Sequence, residues 1–157
     1  MAHTIPVDWD GLEIALTMNL DEQRNYLDLR TGQVEMAAND FTGTDAGLSK
    51  EEVEAGFSEG YLIRIEPLSS SVEYGWMADF TETVADRRLR EMLALALNGR
   101  GAFRRFKDAL SEYPAERERW FAFRDERLRR EIKEWLADHD IEPDVPPSEK
   151  RAKIKRF

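Results

Sequence analysis

Residues 26–36, YLDLRTGQVEM, decide the first half of the fold. Tyr26-Leu27-Asp28-Leu29 and Val34-Glu35-Met36 are two short runs with strand character, joined through Arg30-Thr31-Gly32-Gln33, where Gly32 supplies the positive φ of a hairpin turn. Downstream, 61–66 (YLIRIE) places Tyr61, Ile63 and Ile65 on one face of a third strand, and Pro67 ends it by removing a ladder donor. A small three-stranded antiparallel sheet follows. Upstream, Asp8 is the expected N-cap of a helix over 8–18, with Trp9, Leu12 and Leu16 on one stripe. The segment 39–60 is rich in Gly, Thr, Asp and Glu and reads as a polar loop, with one helical turn at Ser49 to Ala55.

From Ser70 onward the apolar period becomes helical. Ser70 and Glu73 stand at the spacing of a capping box, followed by Tyr74, Met77, Phe80 and Val84. Asp86 is the expected cap of the next helix, whose face is Leu89, Met92, Leu93, Ala96 and Leu97, and Asn98-Gly99 stops it. A short helix over Gly101 to Ser111 turns Phe103, Phe106 and Leu110 inward and ends before Pro114. The final helix, about Ala115 to His139, carries Phe121, Leu128, Ile132 and Trp135 on one stripe. An exposed apolar stripe on that helix would serve a homodimer; otherwise the chain is monomeric. Beyond Ile141, residues 142–147 read as an extended spacer, and KRAKIKRF is a basic tail.

The expected fold class is therefore α+β: an N-terminal helix and a small antiparallel three-stranded sheet packed against a C-terminal helical half. Residues 1–141 form a single domain and 142–157 the spacer and tail. At 157 residues the chain is long enough for one sizeable core. It contains no cysteine, which removes disulfides, thiolate metal sites and cysteine nucleophiles and fits the cytoplasm. No apolar run approaches the roughly 18 residues that span a bilayer, so no membrane role is expected.

The net charge of −9 divides unevenly. Residues 1–84 hold 17 acids against 4 bases, and residues 85–157 hold 15 acids against 19 bases. Such asymmetry marks either a second half that meets a polyanion or two halves that pair with each other. The sharpest candidate for anion binding is Arg100, Gly101, Arg104, Arg105 and Lys107, within ten residues that contain no acid. Free N–H groups at a helix start, the helix dipole and Arg forks suit phosphate, and a helix, Gly-containing turn and helix also describe a helix-turn-helix. Against this stands the common fate of such arginines, which is pairing with neighbours such as Asp108 and Glu112. The tail would add affinity for nucleic acid through counterion release. Trp120, Phe121 and Phe123, interleaved with Arg117, Arg119 and Arg124, are too many large apolar groups to be exposed together and read as core. Arg124, among such apolar neighbours, is expected against an acid of the first half.

A second reading is a small-molecule pocket near Trp9, Tyr61, Trp76 and Trp120. A third is an enzyme that uses carboxylates alone, which two facing acids of raised pKa would support. His3 and His139 are the two histidines, so no triad assembles, and no Walker or dinucleotide glycine pattern is present. Asp138-His139-Asp140 lacks a fixed metal-ligand geometry. No catalytic residue, metal or cofactor is assigned.

Four stretches, IPVDWDGLEIAL, YGWMADFTETV, GAFRRFKDAL and WFAFRDERLRREIKEWL, together resemble an uncharacterised bacterial protein family. The resemblance runs to about Pro143, leaving out the loop at 39–60 and the tail after Pro147. It implies one co-folding domain and carries no activity with it. The leading functional expectation is therefore a non-enzymatic protein that binds a macromolecule, nucleic acid or protein.

Overall fold

A computed structural model describes residues 3–17, 24–37 and 47–144. In chain order the elements are β1 (His3–Ile5), α1 (Trp9–Thr17), β2 (Asn25–Asp28), β3 (Val34–Met36), α2 (Lys50–Glu59), β4 (Leu62–Ile65), α3 (Ser70–Glu82), α4 (Arg87–Ala96), α5 (Ala102–Ser111), α6 (Pro114–Asp138) and β5 (Ile141–Pro143). The fold is α+β, and the three-stranded antiparallel sheet is present in the order β3-β2-β4. The chain divides into two compact units, one of residues 1–67 and 134–157, the other of residues 68–133, with the boundary inside α6.

In the first unit the hairpin forms as the turn residues dictate. Gly32 has φ 76°, and its N–H donates to Asp28 O at 2.7 Å. Pro6 O lies where a Cβ on Gly32 would stand, so only glycine lets the segment before α1 pass over the turn. Asp8 then performs two tasks. Its Oδ1 accepts from Gly11 N–H at 3.0 Å, capping α1, and its backbone N–H donates to Gly32 O at 2.9 Å, tying helix start to hairpin. The central strand β2 is buried at Asn25, Tyr26, Leu27 and Asp28, with α1 packed on β3 and β4.

Three expectations change here. The polar segment read as loop contains a ten-residue helix, α2, because Ser49 and Glu52 complete a capping box and Gly60, at φ 80°, ends it. Both Leu62 and Ile65 of β4 are buried while Ile63 is half-buried, so simple alternation fails; Gly56 of α2 leaves the space that Leu62 fills. Glu142 and Pro143, read as spacer, belong to β5, which pairs in parallel with β1 so that His3 faces Ile141 and Ile5 faces Pro143. Residues 39–46 of the expected loop and 145–157 of the spacer and tail lie outside the described residues.

In the second unit α3 packs on α4, and α4 on α5. Phe80 is the hub of the core, with its ring edge-on to Phe106, Trp120 and Phe123 at centroid distances of 6.4, 5.3 and 5.5 Å. Trp120 and Phe121 are buried and Phe123 half-buried, as an apolar cluster of that size requires. Asp86 caps α4 by accepting from Leu89 N–H at 3.0 Å. The expected Ser70–Glu73 capping box does not form: Ser69 takes the cap position without a side-chain bond to the helix backbone, and Glu73 is drawn instead to Arg124. Phe103, expected inward, is exposed, whereas Phe106 and Leu110 are buried. The apolar stripe of α6, which a dimer would have needed free, is buried at Phe121, Leu128 and Ile132 and continues in the first unit through buried Leu136 rather than half-buried Trp135.

Candidate nucleic-acid interface

Across residues 87–107 the α4–α5 hairpin carries seven bases and one acid, Glu91. Each cation must be placed before that charge means anything. Arg87 Nε donates to Glu91 at 3.1 Å, one turn along an exposed face. Arg90 Nη1 donates to Val84 O at 3.1 Å, closing the turn before α4. Arg105 reaches back from α5: its Nη2 donates to Ala96 O at 3.1 Å and to Asn98 O, and its Nη1 to Arg100 O. The last carbonyls of a helix have no intrahelical donors, and the dipole favours a cation there, so Arg105 is the clasp of α4. Gly99 and Gly101, at φ 81° and 75°, give the connecting turn the shape that lets the clasp close.

This separates two arginines that are adjacent in sequence. Arg104 is exposed and, with Arg88 and Arg100, pairs with no acid among the described residues. Lys107 is exposed on the same helix. Arg100 and Gly101 form the turn, and α5 starts without a side-chain cap. Of the expected anion-binding residues, Arg100, Arg104 and Lys107 thus have their side chains outward, Gly101 shapes the turn, and Arg105 is engaged with backbone. Arg88 escaped the sequence reading because it lies a helix away, although the run Arg87-Arg88-Leu89-Arg90 carried a signal.

The cations of α6 are placed differently. Arg119 donates to Glu116 at 2.7 Å and to Thr83 Oγ1 at 2.8 Å, with its guanidinium 4.4 Å from the centre of the Phe80 ring. Arg124 Nε meets Glu73 Oε1 at 2.6 Å, and Arg127 meets Asp79 at 3.1 Å while lying over Phe123. These charges hold α3 against α6 inside the second unit, and Arg124 does face an acid of the first half of the sequence.

The aromatic residues read as a pocket are divided. Trp76 and Trp120 are buried in the second unit, and Trp120 is filled in by Phe80 and Phe106. Trp9 and Tyr61 belong to the first unit and are half-buried. Tyr61 is roofed by Arg30, whose guanidinium lies 3.6 Å from the ring centre. Arg30 also donates from Nε and Nη2 to both oxygens of buried Asp28, at 3.2 and 3.0 Å. The side-chain hydrogen bonds from Arg30 hold the Asp28 carboxyl below its usual range, against the opposing pull of burial. That shift is opposite to the one a carboxylate acid catalyst needs. His139 lies against Trp135 with the two rings tilted by 39° and its Nδ1 2.8 Å from Trp135 O. Among the described residues no group of three or more His, Cys, Asp or Glu is placed to hold a metal, and no helix is long and apolar enough to cross a membrane.

The model of an uncharacterised protein family, UPF0158, matches residues 6–153, so the match runs through the segment 39–60 and well into the basic tail, both of which the sequence reading had left out. A UPF0158 protein of Pseudomonas aeruginosa is 33% identical over 139 residues, covering 88% of this chain and 87% of its own. No solved structure matches.

Proposed function

As the chain belongs to the uncharacterised family UPF0158, to which no activity is attached, we propose from its own residues that it is a non-enzymatic protein that binds nucleic acid through the α4–α5 hairpin. The observation that carries the reading is the excess of cations over 87–107, with Arg88, Arg100 and Arg104 paired with no described acid in a chain whose net charge is −9. A chain this acidic repels polyanions unless its basic groups are gathered, and here they are concentrated on two helices that pack together. Phosphate would be gripped by the forks of Arg100 and Arg104, with Lys107 as a point charge further along α5 and Arg88 adding charge at the start of α4. The reading places the protein in the cytoplasm together with its target.

The test is a fluorescence-anisotropy titration of short labelled single- and double-stranded DNA and RNA over a salt series. Three or four phosphate contacts give a slope that weakens binding roughly 40- to 150-fold between about 50 and 200 mM salt. Arg100→Glu/Arg104→Glu should abolish binding with the far-UV circular dichroism retained. Unchanged binding by that variant, or none by the native chain at low salt, removes the reading.

A further inference from the structure

The face of α4 beside these cations is not purely polar. Arg88, Met92 and Leu95 stand at i, i+4 and i+7, on one stripe of the helix, and Leu95 is 69% exposed and Met92 36%. Leucine at that exposure on a helix whose core side is already filled by Leu89, Leu93 and Ala96 is a contact surface that no described residue covers, with a cation at one end. Its counterpart in charge is on the same chain. On α2, Glu51, Glu54 and Phe57 recur at i, i+3 and i+6; both acids are exposed, and Phe57 is 50% exposed although its ring edge meets Tyr26. This i, i+3, i+6 row is oblique to the helix axis, and it runs from charge to apolar group in the same direction as the stripe on α4. Glu51 to Phe57 spans about 9 Å and Arg88 to Leu95 about 10.5 Å of helix, so the two match in length.

From this complementarity of charge, apolar content and spacing we infer that the chain self-associates head to tail, with α2 of one copy lying parallel on α4 of the next. Phe57 packs on Met92 and Leu95, and Glu51 and Glu54 lie beside Arg88. Because the two surfaces differ, the contact is heterologous: a pair of copies joined by one such contact keeps one free α2 and one free α4, and association continues until a ring closes. The inference does not rest on nucleic-acid binding, but it shares the hairpin, and an acidic α2 seated there competes with a polyanion.

Sedimentation velocity of the full chain over a concentration series tests it. The mass should rise with concentration at low salt and fall back as salt screens the charge pairs. Leu95→Glu should be monomeric, since a carboxylate on the stripe repels Glu54 and removes the apolar contact; so should Glu51→Lys/Glu54→Lys, in which α2 turns basic. Mixing the two variants restores one intact α2 and one intact α4, and the expected product is a species of twice the chain mass that grows no further. A native chain that stays monomeric at every concentration overturns the inference, and so does a mixture of variants that remains monomeric while the native chain associates. Anisotropy of Leu95→Glu with labelled duplex keeps the readings apart: binding should persist, because Arg100 and Arg104 are untouched.

Discussion

Arg124 Nε lies 2.6 Å from Glu73 Oε1, joining α6 to α3 across 51 positions of sequence. The acidic first half of the chain and its basic second half meet in that contact and in Arg127–Asp79, so part of the charge asymmetry is internal pairing. The same contact explains why Glu73 does not turn back on Ser70: a guanidinium is a stronger partner than a backbone N–H.

A double-mutant cycle with Glu73→Gln and Arg124→Gln should therefore return a coupling of about 1 kcal/mol by urea unfolding, above the level of an ordinary surface pair because each side chain is less than a third exposed. A coupling indistinguishable from zero would make the pair ornamental.

Arg105 and Arg104 should part company when each is changed to alanine. Arg105→Ala leaves Ala96 O at the end of α4 and the turn carbonyls of Asn98 and Arg100 without this donor and is expected to lose about 1–2 kcal/mol of stability. Arg104→Ala should leave the unfolding midpoint unchanged within about 0.5 kcal/mol while weakening any nucleic-acid binding. Arg105→Lys restores the charge without the fork, so it should recover little of the lost stability. Thermal unfolding of the three variants under one buffer decides the matter.

Acid sensitivity should trace to Asp28. Its folded carboxyl titrates below the unfolded value of about 4, so the stabilisation is fully present above that pH and is lost as pH falls through the lower folded value. Native chain and Asp28→Asn should differ most at neutral pH, and their unfolding midpoints should converge below about pH 4. A constant difference across that range would show that the hydrogen-bond geometry matters and the charge does not.

Glycines give a graded series. Gly32→Ala forces a Cβ onto Pro6 O at positive φ and should cost about 3 kcal/mol or prevent folding. Gly56→Ala drives its methyl into Leu62 Cδ1 and should destabilise by about 1–3 kcal/mol. Gly75→Ala, in the interior of α3 with open space around the new methyl, should stabilise by about 0.5–1 kcal/mol. Chemical denaturation of the three in parallel checks the order.

What could be read without coordinates depended on range. Capping by Asp8 and Asp86, the turn at Gly32, the helical stripes and the core role of Trp120 each rest on neighbours within a few positions, where sterics and hydrogen-bond reach are already set. α2 was under-read because its polar composition hid a capping box that Ser49 and Glu52 spelled out. The candidate interface was half legible: the basic run stood in the sequence, but nothing in the letters separates Arg104 from Arg105.

The sequence by itself determined the α+β class, the positions of the hairpin and of the helices from α3 onward, and the clustering of charge, since periodicity, turn glycines and caps are local properties of a chain. Tertiary structure alone decided that β1 pairs with β5 from opposite ends, that Glu73 abandons its cap for Arg124, and that Phe103 and Leu95 remain outside. Those outcomes depend on which distant groups compete for the same partner or the same volume, and such competition is settled only when the chain has closed on itself.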